Sequence, residues 1–269
     1  MTPAGAPGPA GTPRRIAAAF AAAAASGRGA FIPYLTSGFP TLTESDRLAS
    51  SLCEEGADVL ELGVPFSDPL ADGPVIQASS QAALSHGMHF DRVLELVHEA
   101  RLAIPVVLFS YLNPIVAAGP TALERAAAAG VHGILVTDIP VGADPEREAW
   151  LGGGPLAFVR LAAPTTPDAR LREIAAHGSG FVYLISRLGV TGVRDDVPDE
   201  LPATVARLRH ATTLPICVGF GISTPSQARR IGKLADGIVV GSAIVRAAGE
   251  SVDAATRLAA DLRRALDAG

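Results

Sequence analysis

Two acidic side chains stand where acid/base chemistry is built on α/β folds. Glu61 lies in the apolar run 58–62, and Asp72 follows in a loop punctuated by Pro65, Pro69 and Pro74. Strand alternation puts Val59 and Glu61 on one face and Leu60 and Leu62 on the other. Glu61 therefore ends a strand whose opposite face is apolar. Asp68, in the same loop, reads equally well as a solvated turn residue. Glu61 does not, because a carboxylate among buried apolar neighbours is costly unless it is used. A carboxylate ending a strand, with another in a stiff loop just beyond it, can hold and move protons.

The other residues suited to chemistry are glycines. The stretches 188–194, 219–223 and 241–243 each place glycine just after an apolar run. Glycine lets backbone N–H groups approach an anion, and a helix N-terminus favours negative charge. Ser242 is expected to open a short extra helix over 243–248, with Gly221 and Gly241 beside it. Ordinary βα turns are the plainer alternative. Loop 187–198 is polar and long for such a turn, as a lid over substrate is, and Thr191 sits between its glycines. A simple surface loop is the other reading.

Other chemistries lack their residues. The single lysine, Lys233, precedes the last strand, at the wrong end for a Schiff base. His86 and His89 straddle Gly87, and the other histidines are scattered, so no metal set is expected. No Gly-x-Ser-x-Gly elbow is present. Two carboxylates, an anion cradle and a lid remain. They move protons but supply no electron sink, so the substrate must carry its own, as an aromatic heterocycle does.

These residues need strands to hold them. Apolar runs at 30–35, 58–62, 105–110, 133–137, 156–161, 181–186, 215–219 and 237–240 alternate with helical segments at 44–55, 90–103, 121–129, 146–152, 168–177, 200–211, 225–233 and 252–267. Eight βα units predict an α/β fold, a single (β/α)8 TIM barrel, whose functional residues belong at the carboxyl ends of the strands. An open doubly wound sheet is the alternative, but no GxGxxG follows the first strand. Gly56, Gly130 and Gly178 are expected at helix ends needing positive φ.

The barrel domain is expected over 14–269, after a disordered tail over 1–13 rich in Pro, Gly and Ala. Arg14 and Arg15 before an alanine-dominated run resemble a signal peptide. Alanine favours a helix across the bottom of the barrel instead. The chain has 269 residues, 48% of them hydrophobic and 18% charged, which suffices for one large core. A net charge of −5 argues against a nucleic-acid partner. No apolar run is long enough for a membrane span. Two scattered cysteines fit a reduced, cytoplasmic setting.

The segment Glu61-Leu-Gly-Val-Pro-Phe-Ser-Asp-Pro-Leu-Ala-Asp-Gly-Pro74 resembles the tryptophan synthase alpha chain family. So do Phe31–Thr36, Ser186–Gly192, Gly219–Ser223 and Gly241–Ala243, so the resemblance spans nearly the whole chain. It implies retro-aldol cleavage of indole-3-glycerol phosphate to indole and glyceraldehyde 3-phosphate, in tryptophan biosynthesis, without metal, cofactor or Schiff base. Glu61 and Asp72 match the family's catalytic pair. Gly192, Gly221, Gly241 and Ser242 match its phosphate donors. Tyr183 matches a tyrosine beside the substrate, Thr191 the lid threonine, and Tyr34 replaces a ring-packing aromatic. The implied partner is a tryptophan synthase beta subunit in an αββα heterotetramer. A free-standing indole-releasing lyase, another phosphate-binding barrel and a non-catalytic regulatory barrel are the alternatives. The last would be expected to lose Glu61 or Asp72.

Overall fold

The computed structural model describes residues 12–185, 199–219 and 221–268. Eight parallel strands close a barrel in sequential order: β1 (Ala30–Thr36), β2 (Leu60–Gly63), β3 (Val106–Ser110), β4 (Gly133–Val136), β5 (Ala157–Ala162), β6 (Val182–Ile185), β7 (Ile216–Gly219) and β8 (Gly237–Val240). Closure is made by β1 against β8, with Ile32 opposite Val239. All eight strands expected from the sequence are present, within two residues at each end. A closed barrel leaves no sheet edge, so every strand is paired on both sides.

The outer layer is helical: α1 (Thr12–Ala25), α2 (Leu42–Glu54), α3 (Pro74–Ser85), α4 (Phe90–Ala100), α5 (Leu112–Ala117), α6 (Ala122–Ala129), α7 (Pro145–Gly153), α8 (Asp168–Ala176), α9 (Leu201–Ala211), α10 (Pro225–Gly232), α11 (Ser242–Glu250) and α12 (Val252–Asp267). Among the described residues, no helix is long and apolar enough to cross a membrane.

Strand alternation divides the core in two. Leu60, Leu62, Leu108 and Ile134 point outward and pack in the layer between barrel and helices. Val59, Val107, Leu135, Val159 and Val239 point inward. Ile16, Phe20 and Ala23 of α1 join that inner cluster, so α1 stoppers the amino end of the barrel, as the sequence led us to expect. The Phe20 and Phe181 rings lie 5.6 Å apart. Gly133 leaves room for α1, since a Cβ there would lie 2.9 Å from Ile16 Cδ1.

One sequence expectation needs correction, and two helices were not foreseen. Gly56 (φ 88°) and Gly130 (φ 107°) do take the left-handed conformation, but Gly178 does not. Gly180 does (φ 80°), and Gly178 is instead crowded, with a Cβ position 3.0 Å from Arg160 Cγ. Helix α3 was not foreseen, because Pro74 reads as part of a stiff loop. Proline suits the first turn of a helix, where no N–H is needed, and α3 begins on it. The short helix α5 was also unforeseen.

Since Phe20 is only 6% exposed and fills the barrel floor, Phe20→Ala is expected to cost about 3–5 kcal/mol. Urea unfolding checks this. A loss below about 1 kcal/mol would show that α1 does not seal the core.

Candidate active site

Glu61 is the inward-facing residue of β2, directly beside Tyr34 of β1 in the sheet register. It is 1% exposed. Neither carboxylate oxygen has a hydrogen-bond partner among the described residues. Burial pushes its pKa up to about 8. The reason is that an ionised carboxylate loses its hydration and gains nothing in return. At neutral pH Glu61 therefore carries a proton.

Asp72 comes from the loop between β2 and α3. Its N–H donates to Pro69 O at 3.0 Å, and Gln77 Nε2 donates to its carbonyl at 2.8 Å. Tyr111 grips the loop twice. Its phenol accepts from Ala71 N–H at 2.9 Å and donates to Asp72 Oδ2 at 3.0 Å. The Phe66 ring packs on Tyr111, with centroids 5.2 Å apart. Burial raises the Asp72 pKa to about 6, and the Tyr111 hydrogen bond holds it down from going higher. Asp72 is thus mostly ionised where Glu61 is mostly protonated. Two carboxyls with separated pKa values can divide acid and base roles.

Tyr111 was missed in the sequence, although it immediately follows β3 and so stands at the carboxyl face. Its position depends on a further residue. The Leu112 N–H, at the start of α5, donates to Asp138 Oδ1 at 2.8 Å. Asp138 follows β4, in a stretch the sequence gave no reason to value.

Tyr34 and Tyr183 face inward in the same upper layer. Burial is the main cause of the raised pKa of each, and the charges of both Glu61 and Asp72 add to it. The two carboxyls and two phenols therefore surround one space. Each tyrosine needs a glycine on the next strand. A Cβ on Gly63 would lie 2.0 Å from Tyr34 Oη, and one on Gly219 would lie 2.1 Å from Tyr183 Oη. Gly219 is thus required by ring packing, which is a different reason from anion binding. Phe109 closes the wall, edge-on to Tyr34 at 5.5 Å.

Gly221 and Gly241 lie in the loops after β7 and β8. Gly221 has φ 83°, and a Cβ there would meet nothing within 4 Å. Gly241 precedes Ser242, the first residue of α11, which runs to Glu250 rather than the shorter span expected. Helix α10 caps its own N-terminus through Thr224 and Gln227. Among the described residues no side-chain cap serves α11, whose N-cap is Gly241. Thr191 and Gly192, with the rest of loop 187–198, lie outside the described residues.

A closed barrel with a protonated and an ionised carboxyl at its carboxyl face belongs to the class of (β/α)8 enzymes. The tryptophan synthase alpha chain family model matches residues 20–267. A relative of that name from Gluconacetobacter diazotrophicus is 47% identical over 94% of this chain and 94% of its own length. One from Desulfatibacillum aliphaticivorans is 45% identical over 87% of this chain and 89% of its own. The solved tryptophan synthase of Mycobacterium tuberculosis superposes with a TM-score of 0.88 at 33% identity, over 95% of this chain and 99% of that one. The alpha subunit from Legionella pneumophila gives 0.86 at 33%, with the same coverage. The chain belongs to the tryptophan synthase alpha chain family. These relatives favour the synthase subunit over a free-standing lyase.

The state of Glu61 has a measurable consequence. Its pKa is raised on folding, so the folded protein binds more protons than the unfolded chain between about pH 4.5 and 8. The stability that Glu61 contributes is present below that window and is lost as pH rises through it. Glu61→Gln is expected to remove most of this fall, on the order of a few kcal/mol. Denaturant titrations across that range test it. An equal pH slope in wild type and variant would mean that Glu61 is ionised in the fold.

Proposed function

We propose that this chain cleaves indole-3-glycerol phosphate to indole and glyceraldehyde 3-phosphate. The observation that carries the proposal is the buried, unpartnered Glu61 carboxyl, protonated at neutral pH, in one aromatic-walled space with an ionised Asp72. Glu61 gives its proton to ring C3. The ring nitrogen becomes an iminium, whose N–H pairs with the Asp72 carboxylate. The ionised Glu61 then takes the proton of the side-chain hydroxyl next to the ring. The C–C bond breaks, its electron pair returns to the ring, and indole and the aldehyde are released. Glu61 ends the cycle protonated, as it began. The protonated ring is the electron sink, so neither lysine nor metal is needed for this step.

Tyr34, Tyr183 and Phe109 provide apolar surface for the indole ring. Ser242, Gly241 and Gly221 supply N–H groups for the phosphate. Positioned acid/base groups contribute about 10²–10⁴ each. Glu61→Gln and Asp72→Asn are each expected to lower turnover by at least about 10² while the fold persists. Steady-state rates of indole release test this. Near-normal turnover in either variant would remove that residue from the mechanism.

We further propose that a tryptophan synthase beta subunit docks on the carboxyl face and forms an αββα heterotetramer. Leu70 supports this reading. It is 92% exposed, in the loop that carries Asp72. A partner burying Leu70 would also hold Asp72, and so would raise the population of the working state. Adding a cognate beta subunit is expected to raise lyase turnover by at least about tenfold. Leu70→Ser should weaken that response. A titration of rate against beta subunit, with sizing of the mixture, decides it. No complex, together with high unassisted turnover, would favour the free-standing lyase. The unpaired thiols of Cys53 and Cys217 support a cytoplasmic location.

A further inference from the structure

One buried ion pair stands outside the site. Arg160 lies on the outer face of β5, where Phe158 and Ala162 join the layer under the helices. It is 4% exposed, and it meets Glu148 of α7, which is 9% exposed. Its guanidinium lies 3.9 Å from the centre of the Phe158 ring. Its Nε donates to the His177 carbonyl and its Nη1 to the Ile139 carbonyl, each at 3.1 Å. The second Glu148 oxygen accepts from the Gly142 N–H at 2.5 Å.

Taking two charges out of water is costly, and an apolar pair of similar size is often as stable. What this pair holds is the backbone of one loop, between β4 and α7. Arg170 of α8 joins it by donating to the Val141 carbonyl. Charged side chains from β5, α7 and α8 thus fix Ile139, Val141 and Gly142.

The same loop carries Asp138, bonded directly to Ile139. Asp138 is exposed, yet its Oδ1 accepts from the Leu112 N–H at 2.8 Å. Ser110 Oγ donates to the Tyr111 carbonyl at 2.8 Å. That carbonyl and the Leu112 N–H belong to one peptide unit, which is therefore held at both polar atoms. A planar peptide turns as one body, and the Tyr111 side chain is aimed from its edge. The Tyr111 phenol then donates to Asp72 Oδ2 at 3.0 Å. Each donor on this route faces a carbonyl or a carboxylate, so the direction of every hydrogen bond is fixed.

We propose that the Arg160–Glu148 pair is a positioning device for Asp72: it anchors loop 138–142, Asp138 sets the Tyr111 peptide, and Tyr111 holds the carboxylate. The inference rests on the proposed role of Asp72, but its test reads that carboxylate without turnover.

The Tyr111 hydrogen bond restrains the Asp72 pKa, and no cation contributes among the described residues. The other titratable groups around the same space are Glu61 of β2 and the phenols of Tyr34 on β1 and Tyr183 on β6. The test is an infrared titration of the Asp72 carboxyl in the full chain, assigned by the band lost in Asp72→Asn. Arg160→Met combined with Glu148→Gln removes the pair without stranding a charge. Its Asp72 midpoint is expected to rise by about half a pH unit, and that of Asp138→Ala by about one. Asp138→Asn keeps an acceptor oxygen and should keep the wild-type midpoint. Added to Asp138→Ala, the pair variant should shift the midpoint no further, because both act through one link. A merely structural role would lower melting temperature and leave the midpoint in place. An unchanged midpoint in a folded pair variant or in Asp138→Ala overturns the proposal. So does a pair-variant shift that adds in full to that of Asp138→Ala. If Asp72 took no part in catalysis, Asp72→Asn would keep its turnover while these midpoints still moved.

Discussion

Everything at the carboxyl face of this barrel depends on one unfavourable burial. Glu61 has been taken from water and given no partner. Its proton is therefore retained to about pH 8. The surrounding structure maintains that condition. Valines and leucines fill the barrel below, α1 closes the bottom, and two phenols cover the top layer. A cation or a donor admitted to Glu61 would favour its ionised form.

The remaining groups are placed by short hydrogen-bond chains rather than by charge. Asp138 holds the start of α5, the residue before α5 is Tyr111, and Tyr111 holds Asp72. The phenol hydrogen bond restrains the Asp72 pKa, and burial raises it. Asp72 and Glu61 thus differ by about two units, with no ion pair from either to a basic residue among the described residues. The buried ion pairs lie elsewhere. Arg160 meets Glu148 behind β5, and Arg263 meets Asp58 at the foot of β2. Such pairs fix geometry more than they add stability.

Strands were legible in the sequence because each is a short apolar run bounded by turn residues. The inward direction of Glu61 was legible because alternation leaves only one other choice. Helix α3 was not, because its buried face mixes Ile76 and Ala83 with Ser79 and Ser80, which blurs the apolar stripe. Tyr111 could have been found by applying the strand-end rule to β3 as it was applied to β2, β6, β7 and β8. Gly219 was legible as a constrained position but not for its reason. Only the packed structure puts the Tyr183 ring where its side chain would be. The Thr36 and Ser79 hydroxyls, 2.7 Å apart, join β1 to α3 across 43 residues of sequence, and no local pattern announces it.

The central claim is that Glu61 works from its protonated form and Asp72 from its ionised form. The pH dependence of kcat/KM for indole-3-glycerol phosphate tests it most directly. The account predicts a bell, with a rising limb near 6 set by Asp72 and a falling limb near 8 set by Glu61. A rate that stays level or keeps climbing through pH 8 and above would contradict it, because ionised Glu61 would then be the working form.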